Sequence, residues 1–154
     1  MKKILLPLFL LIFATACKNT KSEEANSSTQ PTDSTLFGTC IDDFGMSTFA
    51  VQTEKGDTLS LMRSSNAGVD ATIYGDVNPG DEFAFTTTDS SQSLVTAINL
   101  TQVKALTADY LISNGHLILN SIAQPDTVKI LWLDADSLVA QGRERYKIVA
   151  RPTQ

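Results

Sequence analysis

Beyond residue 36, apolar side chains recur at every second position in short runs, and turn residues separate the runs. Phe49 and Val51 share a face in 47–53, with Thr48, Ala50 and Gln52 opposite. Glu54-Lys55-Gly56-Asp57 reads as a hairpin turn into 58–62, where Leu59 and Leu61 point inward. Strands are expected at 72–75 (Ile73, Tyr74), 82–87 (Phe83, Phe85) and 93–101 (Leu94, Val95, Ile98, Leu100). Asn78-Pro79-Gly80-Asp81 has proline and glycine where a type II turn needs them. The second half repeats the rhythm at 109–113, 116–119, 126–133, 138–141 and 145–150, with Asn114-Gly115 as a tight turn. In 126–133 the alternation puts Val128, Ile130 and Trp132 on one face, and Leu131 and Leu133 on the other. Helical spacing is weak, with one turn expected at 64–67.

These runs predict an all-β chain: a small antiparallel barrel or sandwich over 36–105, continuing into a C-terminal β-meander over 106–154. The rhythm of Tyr74-Gly75-Asp76-Val77 through Pro79-Gly80-Asp81-Glu82-Phe83 is similar to the strand-turn-strand centre of OB-fold barrels. The meander carries Thr127-x-x-Ile130-Leu131, a short Leu138-Val139 strand and a final Tyr146-Lys147-Ile148 strand. That succession is similar to the closing meander of lipocalin-like lipoproteins of Bacteroidetes, which implies a lumen for a small apolar ligand. Two architectures follow: one continuous barrel, or an OB-like barrel with a meander sheet packed on it. A meander of about 45 residues is a marginal core alone, so 36–105 and 106–154 are expected to pack as one unit.

The N-terminus breaks the alternating pattern. Lys2 and Lys3 precede an unbroken apolar run at 4–13, followed by Ala14-Thr15-Ala16-Cys17. That run is about half the roughly 20 apolar residues a spanning helix needs, so it reads as an export leader. It resembles a bacterial lipoprotein signal, whose terminal cysteine is diacylated, cut before, and acylated on its amine. The resemblance implies a signal peptide at 1–16, lipidation (palmitate or a similar acyl group) at Cys17 and a lipid-anchored place in the cell envelope, at the outer membrane. Residues 17–35 have little aliphatic or aromatic content, so they are expected to be a disordered tether. Lys21-Ser22-Glu23-Glu24 resembles the acidic surface-export signal of Bacteroidetes lipoproteins and implies surface exposure. Asp33-Ser34-Thr35 resembles the O-glycosylation triplet of that phylum, which implies modification at Ser34.

Charge narrows the partners. The formal net charge is −5, and −7 once Lys2 and Lys3 leave with the signal. An acidic chain repels phosphates, so nucleic acid is not expected as a partner. Residues 33–89 hold ten acids against Lys55 and Arg63, whereas Arg143, Arg145, Lys147 and Arg151 cluster near the end with Glu144. The plain reading of this asymmetry is two solvated surfaces; the sharper one is an acidic face and a basic face on one molecule, able to meet a charged partner.

Candidate chemistry is sparse. His116 is the only histidine, and Cys40 is the only cysteine besides Cys17. Phe37, Gly38 and Ile41 around Cys40 point to a buried strand thiol. Without a second histidine no nitrogen and sulfur metal site is expected. Asp42-Asp43 reads as a solvated turn, and Asp76 to Asp81 as a turn rather than a calcium loop, its closing glutamate being absent. Asn26-Ser27-Ser28 and Asn99-Leu100-Thr101 match the N-glycosylation triplet only by pattern. Trp132, among aliphatics, reads as a core residue. No catalytic set, cofactor site or metal site emerges. The reading is a non-enzymatic lipid-anchored lipoprotein whose β body binds a partner or serves a structural role. The alternative is a lipocalin-like carrier or sensor of a small apolar ligand. A filled interior around Phe49, Phe83, Phe85 and Trp132 would argue against the carrier.

Overall fold

Glycine turns cut the first half into short strands that pair side by side. The computed structural model describes residues 33–64, 68–88 and 93–150. The first six strands are β1 (Leu36–Asp43), β2 (Thr48–Thr53), β3 (Thr58–Met62), β4 (Thr72–Tyr74), β5 (Glu82–Thr87) and β6 (Leu94–Asn99). They form one sheet in the order β3-β2-β1-β5-β6-β4. Every pairing is antiparallel except β4 with β6, which corrects the wholly antiparallel expectation. At the 78–81 turn Gly80 has φ 95°, and Asp81 N–H donates to the Asn78 carbonyl at 3.1 Å, the closure of the expected turn.

The sheet curls until the end of β3 meets the residue before β6 in one bridge, Met62 with Ser93. Its concave side is filled by Cys40, Phe49, Val51, Leu61, Phe83, Phe85, Leu94 and Ala97. The Phe49 and Phe83 rings meet at 5.6 Å between centroids, tilted by 50°. Each such ring contributes roughly 1.5–3 kcal/mol through burial.

A helix that sequence reasoning missed follows: α1 (Leu100–Leu106), where the strand expected at 93–101 ends. Asn99 caps it by accepting the Gln102 N–H at 3.0 Å. At seven residues α1 is too short to display a helical period.

The second sheet is a five-stranded antiparallel meander in the order β11-β10-β9-β8-β7. Its strands are β7 (Tyr110–Ser113), β8 (His116–Leu119), β9 (Asp126–Leu133), β10 (Ser137–Gln141) and β11 (Arg145–Val149). Asn114 and Gly115 both have positive φ, 49° and 72°, the demand of a tight hairpin between β7 and β8. The two sheets share a core: Ala84, Ile98, Leu100 and Val103 from the first half meet Ile112, Leu117, Leu119, Val128, Ile130, Leu133, Leu138 and Ala140. Strands β5 and β6 thus bury both faces, Phe83 and Phe85 on one side and Ala84 and Ile98 on the other. The chain is all-β with two sheets in the manner of a sandwich, and neither sheet among the described residues closes into a barrel.

Trp132 corrects the sequence reading. It is 59% exposed, not a core residue. Register along β9 and β10 slips between Val139 and Ala140, which pair with Trp132 and Ile130, so Leu131 is an extra residue on β9. This bulge reverses the alternation. Val128, Ile130 and Leu133 face the core, while Leu131 and Trp132 face out.

Candidate functional site

The described residues start at Asp33; Cys17, the signal peptide expected at 1–16 and the tether expected up to residue 32 lie outside them. Asp33, Ser34 and Thr35 fall in the stretch expected to be disordered, yet they are held on the β7–β8 turn. Asp33 Oδ1 accepts the N–H of Asn114 at 2.8 Å and of Thr35 at 2.8 Å. Ser34 N–H donates to Asn114 Oδ1 at 3.2 Å, and Gly115 N–H donates to Thr35 Oγ1 at 2.9 Å. Ser34 itself is exposed. Hydrogen bonds from the Thr35 side chain, the Thr35 N–H and the Asn114 N–H hold the Asp33 carboxyl at about 2, below the ordinary 3.8. A depressed carboxyl stabilises the clamp above about pH 3.8 and ceases to as pH falls through about 2. The Asn114 and Gly115 amide resonances are expected to titrate together with a midpoint near 2; a midpoint near 4 would mean that the clamp does not form.

The other sequence candidates are dispersed. Cys40 is 1% exposed. Burial pushes its thiol up, and the carboxylates of Asp43, Asp81 and Asp42 reinforce this. The native thiol is expected to resist iodoacetamide at pH 8 and to react at the rate of a free thiol in urea; equal rates in the two states would contradict the burial. Asp43 accepts the Arg63 guanidinium at 2.6 Å and caps the following turn through the Gly45 N–H at 3.0 Å. Arg63 also lies 5.2 Å over the Phe49 ring. His116 is exposed in the second sheet, and Asp42 and Asp43 end β1 of the first, so the three make no common site. Among the described residues, no three His, Cys, Asp or Glu side chains gather as metal ligands.

Two buried polar networks escaped sequence reasoning. In the first, the fully buried Asn99 donates to the Asp76 carbonyl at 2.7 Å and to Asp81 Oδ2 at 2.8 Å. Gln102 Nε2 donates to Asp76 Oδ2 at 2.8 Å. The Asp76 to Asp81 segment is thus satisfied by side-chain amides as a structural turn, and Asn99 has no surface for a glycan. In the second, Asp126 accepts from Tyr146 Oη at 2.9 Å and from Arg143 N–H at 2.9 Å. Burial raises the Asp126 carboxyl, but these hydrogen bonds and the Arg143 charge outweigh it and hold it below the usual range. The same bond pushes Tyr146 up. A Cβ on Gly142 would lie 2.7 Å from Asp126 Cγ, so this turn needs glycine for space. Partners lie 17–26 positions apart, and only an Asn before a helix-forming run hinted at either network.

The hollows are open grooves. One of about 530 Å³ runs between the sheets past Tyr74, Ile98, Leu117 and Ile130, with His116 and Lys129 beside it. The concave interior that a carrier would use is occupied by Phe49, Phe83 and Phe85.

On the outward face of the second sheet, Trp132, Val139 and Lys147 are direct cross-strand neighbours, as are Lys129, Gln141 and Arg145. Trp132 Nε1 donates to Asp134 Oδ2 at 2.6 Å. That bond, with the Asp136 and Ser137 N–H groups, holds the Asp134 carboxyl below its ordinary value.

The fold defines an all-β two-sheet body. No protein-family model, curated protein or solved structure matches the chain. Among the described residues, no helix is long and apolar enough to cross a membrane.

Proposed function

We propose that this chain is a non-enzymatic, lipid-anchored lipoprotein of the cell envelope, acylated at Cys17, whose two-sheet body binds a partner or serves a structural role outside the bilayer. The observation that carries the reading is the order Lys2-Lys3, an apolar run at 4–13, small residues, then Cys17. The hold of Asp33 and Thr35 on the β7–β8 hairpin supports it, since a tethered body needs a firm point of attachment. The packed aromatic interior favours this over the carrier.

The test is labelling with a palmitate analogue in cells. The natural chain is expected to take up label and run as the shortened mature form. Cys17→Ala is expected to lose the label and keep its leader. Label that persists in Cys17→Ala, or a natural chain with an uncut leader and no label, would overturn the proposal. Protease shaving of intact cells then reports whether the body faces outward.

A further inference from the structure

We propose that the outward face of the second sheet is a docking surface for an anionic phospholipid bilayer. The charged strand residues that point outward from this sheet are Lys129, Arg145 and Lys147, all basic. None forms an ion pair with a described residue. None of the second half's carboxylates is an outward strand residue: Asp126 is buried under Tyr146, Asp109 before β7 accepts from Ser121 and Ile122, Asp136 and Glu144 sit in the turns, and Asp134, also in a turn, is engaged at the edge of Trp132. Beside the cations lie Trp132 and Leu131, brought to the surface by the β9 bulge, with Val139 and Val149. The one polar atom of the Trp132 ring is already engaged by Asp134, so what the ring offers to a partner is hydrocarbon.

A cationic row beside an exposed indole and aliphatic side chains matches the bilayer interface, where headgroup phosphates meet acyl chains. Trp132 has Val139 and Lys147 as cross-strand neighbours and a single carboxylate, Asp134, already bound to its Nε1, rather than a ring of amides and carboxylates, which favours lipid over a sugar. The chain is acidic overall, but much of that charge belongs to the first sheet and its turns, Asp42, Asp43, Glu54, Asp57 and Asp70 among them. Screening over about 8 Å at physiological salt lets a local basic face act against the net charge. Attachment at Cys17 would raise the local concentration further: the stretch from there to Asp33 spans at most about 55 Å. The inference goes beyond the anchoring proposal and is tested without the anchor.

The experiment uses residues 18–154, unacylated, because every strand and both cores lie within the compact unit Pro31–Gln154. The probes are vesicles of phosphatidylcholine alone and of equal parts phosphatidylcholine and phosphatidylglycerol. Trp132 is the only tryptophan, so its emission reports this face alone. A blue shift and shielding from acrylamide are expected with the anionic vesicles and not the neutral ones, weakening with added salt. Lys129→Gln, Arg145→Gln and Lys147→Gln together are expected to lower partitioning by roughly a hundredfold, at about fivefold for each basic side chain. If the triple variant melts early, Lys147→Gln alone is read at about fivefold. Equal partitioning onto neutral vesicles, no partitioning, or binding with an unshifted Trp132 would overturn the proposal. So would a shift caused by self-association without vesicles, or by polygalacturonate but not by vesicles. A chain acylated at Cys17 that ignores the vesicles keeps the anchor and loses the docking face.

Discussion

Phe83→Ala is expected to cost about 3–5 kcal/mol of folding stability, read as a lower midpoint in urea. Phe83 has no exposed surface, sits on the central strand β5 and packs its ring against Phe49 in the concave core. Its neighbour Ala84 faces the other core, so β5 cannot shift to refill the gap without disturbing the second sheet. A domain of this size has roughly 5–15 kcal/mol in total, so the variant is expected to be partly unfolded at 37 °C. Phe83→Leu, which keeps most of the volume, is expected to cost about 1.5 kcal/mol or less. A loss below about 1 kcal/mol for the alanine variant would mean that the curl of the first sheet is loosely filled.

Asn99→Ala is expected to cost about 2–4 kcal/mol, although it removes only a small polar side chain. Loss of the α1 cap accounts for about 1 kcal/mol. The rest comes from stranding the partly buried Asp76 carbonyl, at about 1–3 kcal/mol, while Asp81 Oδ2 keeps the Asn78 side-chain amide at 3.2 Å. Gly75 belongs to the same unit. It has φ 89°, and a Cβ there would lie 2.7 Å from Asn99 Cβ. Gly75→Ala is therefore expected to be destabilising in the natural background and less so in Asn99→Gly, which removes that Cβ. That non-additivity is read in a double-mutant cycle. Strict additivity would show that turn and helix are not coupled through Asn99.

Much of the fold was legible because strands read out a period of two. Phe49, Leu61, Phe83 and Phe85 could be assigned to the interior from alternation alone, and the glycine turns at Gly56, Gly80 and Gly115 from turn chemistry. Cys40 was legible as a buried thiol from its apolar neighbours. The polar networks were not, because Asp76 and Gln102, or Asp126 and Tyr146, meet only after distant strands pair. Helix α1 was missed because one cap and two turns carry too little pattern. The docking of Asp33 to Thr35 was missed because polar residues that bind a turn have the same composition as polar residues that bind nothing but water.

Local pattern sufficed for the class of fold, the turns and the fully buried aromatic core, since each depends on residues that neighbour one another along the chain. The proposed leader ending at Cys17 is likewise a linear pattern, independent of the fold. Tertiary structure alone decided the parallel pairing of β4, the contact of Asp33 to Thr35 with the β7–β8 turn and the side of the sheet that Trp132 occupies. The last of these turns on one inserted residue. The bulge at Leu131 exists because β10 pairs with Trp132 at Val139 and with Ile130 at Ala140, a register set by packing across strands, and it sends an indole that alternation assigns to the core out beside Lys147.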